Sequence, residues 1–434
     1  MAITDYRESV KPVISEEELP DALMASQEAL YSAEEGLEEA KRLETMGEGL
    51  EELGVIVASI EAATPRDLAF IENSTRLALS GYDIPTESVF PSLEAHNGTT
   101  VSMESLTDLI KKIWKSITAV IKRVWEDIAR FFKRITDVSE RLRVKNDALR
   151  KRVMAMGDQK IQDTHVDMGS EITNLSSDGK APKNATDIEK LLDNILHHSS
   201  VVYESYVGTI ADAGIMLAEA IERFDIDNPE KSLARVVDSA KRIDFEAIRK
   251  QAGNTKDAND KRFQGNTVQV SKPLASDLSL FFIEPNVRGS DDSILGKAEA
   301  LRNRRVQMAQ TRSGKDKKLA YATVQTLKAD EMIKISQRNE DILKKVSDFR
   351  KAEARIIRSR RRLDKACEKL TKRMSGQRDL STTATQYYRA AVNFGVAYAR
   401  WCLDPQTRFT KMAVDAVRTS ITLCNKSIAN HGSA

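Results

Sequence analysis

The sequence predicts a mainly α protein: an elongated, multi-helix chain with long amphipathic helices and one small antiparallel β-hairpin near residues 267–285. Two observations support the helical prediction. The 434 residues are 41% hydrophobic and 30% charged but include only 19 Gly and 10 Pro, the residues that interrupt helices. Apolar residues also recur every three or four positions over long stretches. The hairpin is predicted from one short β-type stretch.

Three helices are predicted in the N-terminal part of the chain. The first covers residues 16–53, where Ala, Glu and Leu dominate. Two shorter helices are expected at 53–62 and 65–80, the second beginning at a proline that suits the first helical position. Together they form an acidic helical unit, followed by a proline-bearing, loop-like stretch over 82–100.

The strongest periodic signal lies in residues 106–142. Its apolar stripe comprises Leu106, Ile110, Ile113, Ile117, Val120, Val124, Ile128, Phe131, Ile135, Val138 and Leu142. Residues 106–135 also carry eight Lys+Arg against three acidic residues. We expect the helix to continue to Val153, which would make it roughly 70 Å long.

This basic amphipathic helix has three interpretations. It can be a core helix of a bundle, a helix that lies on a membrane surface, or a helix that binds a partner protein. Its length favours the bundle, whereas its Trp and Lys content keeps the membrane interpretation open. The side chains that would contact a membrane or partner are Ile110, Trp114, Ile117, Trp125, Phe131 and Phe132.

The segment predicted to form the β-hairpin follows a linker and two predicted helices. Residues 157–185 have a linker composition, and helices are predicted at 186–224 and 229–241. Thr267–Ser271 then alternates apolar and polar residues, and Leu278–Ile283 is a second extended run. An isolated hairpin is barely stable, so this one should pack against the surrounding helices.

From Asp291 onward the chain is predicted to be helical again, with a long proline-free segment at about 318–375. Apolar residues recur there every seven positions: Ile335, Ile342, Phe349, Ile356, Leu363 and Leu370. The second row of the heptad is mixed and includes Asn339, Glu353 and Arg360. A dimeric coiled coil needs both rows apolar, so we expect one long helix packed along one edge. Two final helices are predicted at 382–402 and 405–429.

Charge divides the chain sharply. Residues 1–94 contain 6 Lys+Arg and 21 Asp+Glu, a net charge of −15. The remaining residues contain 61 Lys+Arg and 44 Asp+Glu, a net charge of +17. The division predicts separable parts with different partners. The expected organisation is an acidic segment (1–94), a basic amphipathic helix (95–156), a helical domain with the hairpin (157–290) and a basic helical C-terminal domain (291–434).

The sequence indicates a protein that is not an enzyme. It lacks GxGxxG, HExxH and GxSxG motifs, and the Gly-to-Gly-Lys spacing of GSDDSILGK (289–297) is too long for a phosphate-binding loop. We therefore predict no catalytic residues, no metal site and no cofactor. The three cysteines, at wide spacing, indicate a reducing interior rather than a disulfide framework. No apolar run is long enough for a transmembrane helix, and no secretory signal is expected.

A basic patch over residues 350–378 is the main candidate for contact with nucleic acid. The stretch holds 12 Lys+Arg and three acidic residues. It can be a solvated helix face, or it can contact a phosphate-rich polymer. No base-reading or base-stacking motif accompanies it, so any DNA contact should be independent of sequence. The candidate contacts are Arg355, Arg358, Arg360, Arg361, Arg362 and Lys365.

The order of these parts resembles a known family. An acidic, Glu-rich helical unit is followed by TPRDLAFIENSTRLALSG, then by PSLEAHNG, and soon by SMESLTDLIKKIWKSITAVIKRVWEDIARFFKR. This arrangement resembles the internal head (virion) proteins of giant tailed bacteriophages. The resemblance covers mainly residues 30–135, and the C-terminal two thirds are similar only as a basic helical body.

The resemblance implies that the N-terminal segment is a propeptide. In that family a phage-encoded prohead protease removes it after Glu in small-x-Glu or Leu/Ile-x-Glu motifs. Ser92, Leu93 and Glu94, which precede Ala95, fit such a motif at the point where the charge changes sign. Ser59 to Glu61 and Ser102 to Glu104 are the alternatives.

The expected function is that of a structural internal head protein, packaged in the capsid with DNA and processed near Glu94. The implied partners are the prohead protease, other capsid or inner-head proteins, and packaged DNA without sequence specificity. The protein would be made in the host bacterial cytoplasm and would reside inside the capsid head. Two alternatives stay open: a membrane-active or host-directed ejected protein that acts through residues 106–135, and a sequence-independent DNA-binding scaffold. Membrane contact is the less favoured of the partner predictions.

Overall fold

A computed structural model describes residues 18–58, 99–157, 159–258, 260–286, 293–311, 323–375 and 382–432. Within these helices the side chains of residues 18–20, 44–58, 99–118, 350–352, 375 and 382–383 are not described. The predicted helix at 65–80 lies outside the described residues.

Helices make up most of the described chain, which confirms the mainly α fold. They are α1 (Glu18–Ala58), α2 (Thr99–Ala155), α3 (Ala185–Ser200), α4 (Val207–Glu222), α5 (Pro229–Lys241), α6 (Phe245–Gln251), α7 (Ile294–Asn303), α8 (Ala329–Ser375), α9 (Thr382–Val392), α10 (Phe394–Leu403) and α11 (Gln406–Ala429). A π-helical turn, Val201–Tyr206, joins α3 to α4. Two predicted helix bounds differ from the structure. The first helix, α1, continues through residue 53 without a break, and the long C-terminal helix begins at Ala329 rather than near 318.

Short strands complete the fold. They are β1 (Lys160–Ile161), β2 (His165–Asp167), β3 (Lys256–Asp257), β4 (Asn266–Val270), β5 (Leu278–Pro285), β6 (Arg305–Gln310), β7 (Thr323–Gln325) and β8 (His431–Gly432). Strands β3-β4-β5-β6 form an antiparallel sheet in that order, and β1 pairs with β8 and β2 with β7. The predicted linker over 157–185 thus contains two short strands and a 3₁₀ helix.

The predicted hairpin is present as β4 and β5, with Val268 opposite Ile283. The prediction missed β6, because the chain after Asp291 was expected to be helical throughout. Phe282 of β5 pairs with Val306 of β6, and Met308 is completely buried. These alternate residues face the helical core, so tertiary packing stabilises a strand in which Val306 is the one β-branched residue.

The long helix α8 is the centre of the bundle. It packs against α2, α3, α4 and α11. All six residues of the predicted heptad row are buried, which explains their spacing: Ile335, Ile342, Phe349, Ile356, Leu363 and Leu370. The helix packs within its own chain, as expected, but it contacts several neighbouring helices rather than packing along one edge.

One polar residue of the second heptad row is buried at the middle of this bundle. Asn339 accepts a hydrogen bond from the Ser420 hydroxyl at 2.8 Å, and its amide donates to Asn146 Oδ1 at 3.4 Å. Asn146 in turn donates to the Ser336 carbonyl oxygen at 2.8 Å. Because these buried groups satisfy one another, α2, α8 and α11 are held in one register.

Candidate nucleic-acid interface

The structure divides the predicted basic patch of α8 into two sets of side chains. Arg355, Arg360 and Arg362 form ion pairs within the protein. Arg358, Arg361 and Lys365 are exposed, and no ion pair joins them to the described residues. These three, together with exposed Lys369, recur at helical spacing on one face of α8; we call them the α8 basic stripe. Glu368 is the exposed acidic residue beside the stripe.

The paired arginines tie α8 to its neighbours. Arg362 reaches Glu219 at 3.0 Å and Glu222 at 3.1 Å, both on α4. Arg355 lies 3.0 Å from Asp212 of the same helix. Surface pairs of this kind contribute little stability each, but they neutralise the cations that form them. Of the six predicted contacts, the three without an ion pair to the described residues therefore lie on the α8 basic stripe.

Arg360 is held by an aromatic ring. Its guanidinium lies 4.6 Å from the Trp125 ring centroid, and its Nε donates to Asp364 at 3.1 Å. Burial raises the pKa of Asp364 above its ordinary value, although Arg360 opposes this change. The prediction grouped Arg360 with the DNA-contacting residues, whereas the structure places it in a contact between α8 and α2.

The apolar face of α2 is covered where its side chains are described. Trp125, Phe131 and Phe132 are buried, and the Phe132 ring lies 4.7 Å from that of Phe349 on α8. The side chains of Ile110, Trp114 and Ile117 lie outside the described residues. In the described part of the chain, no helix is long and apolar enough to cross a membrane.

The acidic helix α1 lies along the basic helix α2. A row of small and apolar residues forms its buried face: Leu23, Ser26, Ala29, Leu30, Ala33, Leu37, Ala40 and Leu43. Polar contacts flank it, because Ser32 donates to Asp127 at 2.7 Å and Arg134 donates to the Ala25 carbonyl oxygen at 2.5 Å. Oppositely charged helices thus share an apolar interface.

Gly36 makes the approach of these helices close. A Cβ atom at this position would lie 2.6 Å from Cγ2 of Val124, nearer than such atoms normally come. The absence of a side chain, rather than an unusual backbone conformation, is what the contact requires.

A cavity of about 700 Å³ separates α1 from the end of the helical body. Three arginines from different elements line its body side: Arg305 of β6, Arg400 of α10 and Arg408 of α11. We call them the arginine cradle. On the opposite side α1 contributes Glu34, Glu35, Glu38, Glu39, Lys41 and Arg42. Sequence reasoning missed the cradle, since its members are scattered and only the fold of β6 against α10 and α11 brings them together.

The cradle contacts α1 directly through Arg408. Its Nη2 lies 2.7 Å from Glu34 Oε1, and its Nε donates to the same oxygen at 2.8 Å. The guanidinium also donates from Nη1 to the Met308 carbonyl oxygen at 3.1 Å. These contacts fix the direction in which the guanidinium points.

Asp404 lies beside the cradle in the short connection between α10 and α11. Its Oδ1 accepts a hydrogen bond from the Met308 backbone N–H at 2.9 Å, which joins β6 to this corner. Its side chain is only 14% exposed. Burial raises the pKa of Asp404 to about 7, against the opposing effect of Arg408. Near neutral pH it therefore offsets only part of the cradle's charge.

The predicted cleavage residues are described only in part. Ser92, Leu93, Glu94 and Ala95 lie outside the described residues, as do Ser59 and Glu61. Ser102 and Glu104 lie in the first two turns of α2, which begins at Thr99. A protease requires extended backbone, so the helical placement makes the 102–104 motif a poor substrate in the folded chain.

The described residues meet the requirements of neither a metal site nor a reactive cysteine. They hold no cluster of three or more His, Cys, Asp or Glu side chains that could ligate a metal. Burial raises the pKa of the thiols of Cys367, Cys402 and Cys424, which keeps these cysteines protonated and unreactive.

Comparison with known proteins gives one match that spans nearly the whole chain. The family described as phiKZ-like phage internal head proteins matches residues 15–426. The match includes both the acidic helix α1 and the basic body, down to the last turn of α11. No curated protein and no solved structure matches the chain.

Proposed function

Because the chain belongs to the family of phiKZ-like phage internal head proteins, we propose that residues 1–94 are a propeptide that a prohead protease removes near Glu94. Family membership makes this a structural protein inside the virion head. The proposal adds that the remaining basic body contacts packaged DNA without sequence specificity. Other capsid or inner-head proteins are its further partners.

The observation that supports this proposal most directly is the contact of Glu34 with Arg408. It joins the acidic segment to the body across 374 positions of sequence, at an arginine cluster. Helix α1 of the acidic segment therefore places a carboxylate on a cation of the body. Such an arrangement suits a segment that keeps the body from binding DNA until the segment is removed.

Net charge supports the same sequence of events. The full chain carries +2, and loss of residues 1–94 leaves +17. Each cation placed against a DNA phosphate releases a condensed counterion, so affinity should rise strongly at low salt. The charge change would turn an almost neutral protein into one that binds DNA.

The α8 basic stripe is the proposed DNA contact. Arg358, Arg361 and Lys365 point away from the core and lack ion-pair partners among the described residues. The described side chains of α8 over residues 353–374 include no aromatic ring for base stacking. Contacts of this kind position a protein on the phosphate backbone and carry no sequence information.

Processing can be tested with a substitution in the phage. Glu94→Gln should leave the acidic segment on the protein recovered from virions, because the protease recognises Glu at this position. Glu61→Gln and Glu104→Gln are matched controls and should be processed normally. Normal processing of the Glu94→Gln protein, or a block by either control, would move the site away from Glu94.

The DNA contact can be tested on the processed protein. The triple variant R358Q/R361Q/K365Q should lower the slope of log affinity against log salt by about 2–3. A charge-matched control, K231Q/R235Q/R242Q, removes three exposed cations from α5 and the residue that follows it, and no ion pair joins these three to the described residues. Equal losses in the two variants would show that overall charge, and not the α8 basic stripe, determines binding.

A further inference from the structure

The cavity beneath α1 has two sides of opposite charge. The body side presents the three guanidinium groups of the arginine cradle, with Asp404 as its acidic residue. The α1 side presents four glutamates and two basic residues. Because the two sides carry opposite charge, each side offsets part of the charge of the other.

The body itself holds the cradle arginines in position. Arg305 donates from Nη1 to the Asn303 carbonyl oxygen at 3.1 Å and from Nε to Gln307 at 3.3 Å. Arg408 donates to the Met308 carbonyl oxygen. These contacts do not involve α1, so the two guanidinium groups would keep their directions after α1 has left.

Positive charge is crowded at this point. Burial and the neighbouring Arg400 both lower the pKa of Arg305, whereas Asp404 and Glu38 of α1 raise it. The cradle therefore depends on an anion for its balance, and part of that anion is supplied by α1. Removal of α1 would take the Glu34 carboxylate away from Arg408 and the Glu38 charge away from Arg305.

We propose that the arginine cradle is an anion site that α1 occupies with its carboxylates before processing and that binds DNA backbone phosphate afterwards. This inference rests on the proposed removal of residues 1–94. The acidic helix would then act as an internal competitor for DNA, bound to the same guanidinium groups. DNA and the acidic segment would each weaken the binding of the other.

The chemistry of the cradle fits phosphodiester groups. Arginine presents a planar fork of donors that matches two phosphate oxygens, and three such forks converge here from β6, α10 and α11. The lining residues include no aromatic side chain on which a base could stack. Recognition would thus be confined to the backbone, and the cavity is open enough for more than one phosphate group.

The experiment uses the full chain with a recognition site for a sequence-specific protease placed over Ser92–Ala95. The folded protein is cut, and the release of fragment 1–94 is followed by gel filtration as a short mixed-sequence DNA duplex is added. The proposal predicts that DNA displaces the fragment. A fragment that stays bound at saturating DNA overturns it.

Variants of the cradle distinguish DNA binding by its arginines from the effect of net charge. R400Q/R408Q should weaken DNA binding of the cut protein about tenfold and lower the salt slope by about 2, with little effect on the uncut chain. R408K, which keeps the charge, should recover part of the loss. Arg223→Gln, at an exposed arginine that ends α4, is the single-charge control and should change affinity less than about twofold. Equal losses in cut and uncut protein would contradict the proposal.

A second variant opens the cradle without any change of charge. Gly36→Ala, which forces α1 away from Val124, should raise the DNA affinity of the uncut chain, and R408Q should abolish that gain. Gly208→Ala is the matched control, because a Cβ there lies no closer than 3.9 Å to a neighbour, Arg355 Nη1. No gain in affinity for the Gly36→Ala chain, or a gain that survives R408Q, would refute the cradle.

Failure of this inference can be told from failure of the proposed function. The N-terminus of the protein in virions reports on processing alone. If the protein is processed but its DNA affinity does not depend on Arg400 and Arg408, the propeptide proposal stands and the proposed role of the arginine cradle is refuted.

Discussion

Glu34 and Arg408 form an ion pair of 2.7 Å, although 374 positions separate them in the sequence. The contact joins the most acidic part of the chain to the last long helix of the basic body. It is one of the interactions through which α1 lies against elements other than α2, since α1 also contacts α9 and α10. Helix α1 is thus an integrated part of the described fold.

Loss of this pair should loosen α1 without unfolding the body. The Glu34 and Arg408 side chains are 26% and 34% exposed. We expect Glu34→Gln to reduce the stability of α1 docking by about 1 kcal/mol, because a partly buried charge-assisted pair exceeds a fully exposed one. Limited proteolysis within α1 measures the change. Glu28→Gln, at an exposed position of the same helix, should have no effect, and equal cleavage of both variants would contradict the assignment.

Close packing of α1 on α2 can be tested at Gly36. Gly36→Ala should destabilise α1 docking by about 1–3 kcal/mol through overpacking against Val124, less the gain of up to about 1 kcal/mol in helix propensity. The compensating change Val124→Ala should restore part of the loss in a double-mutant cycle. Chemical denaturation monitored by circular dichroism is the measurement. Additive effects of the two substitutions would show that these residues are not in contact.

Stability should depend on pH through Asp404. Burial raises its pKa in the folded protein to about 7, above the value of an unfolded Asp, so the folded state binds the proton more tightly. The stability that this proton contributes is present at low pH and is lost as pH rises towards and past 7. Asp404→Asn keeps an acceptor for the Met308 N–H and does not titrate. Its free energy of unfolding should therefore rise relative to that of the wild type between pH 5 and pH 8, by a few kcal/mol at most. A difference in melting temperature that stays constant over this range would refute the assignment.

The apolar face of α2 should behave as protein core. Phe132→Ala, which removes a buried ring packed on Phe349, should cost about 3–5 kcal/mol of unfolding free energy. Val144→Ala, 72% exposed on the same helix, should stay within about 0.5 kcal/mol of the wild type. With this face covered, the intact protein should also leave anionic vesicles sealed. Leakage by the intact, folded chain would support the membrane interpretation instead.

The sequence predicted those parts of the fold that have a strong local period. The stripe of α2 and the seven-residue row of α8 are long, so their buried faces could be assigned without tertiary information. Strand β6 escaped prediction because Val306 is its one β-branched residue and its burial depends on the sheet and on the helical core. The hairpin was recognised from alternation in β4 and from the apolar run of β5.

The candidate sites, like the fold, were predicted where the signal is local and missed where it depends on tertiary contacts. The basic composition of residues 350–378 was visible in the sequence, but the three arginines that form ion pairs could not be distinguished from those that remain available. For Arg355 and Arg362 that distinction depends on the positions of Asp212, Glu219 and Glu222 on α4. For Arg360 it depends on Asp364 and on the Trp125 ring of α2. The arginine cradle left no local pattern at all, because Arg305 lies far in sequence from Arg400 and Arg408.

The most direct test of the central claim is the intact mass and N-terminal sequence of this protein from purified virions. The account predicts a chain that begins at Ala95 and lacks the acidic helix α1. A chain that retains residues 1–94 in the mature virion would contradict it, because α1 would then remain on the arginine cradle as a permanent element of the fold.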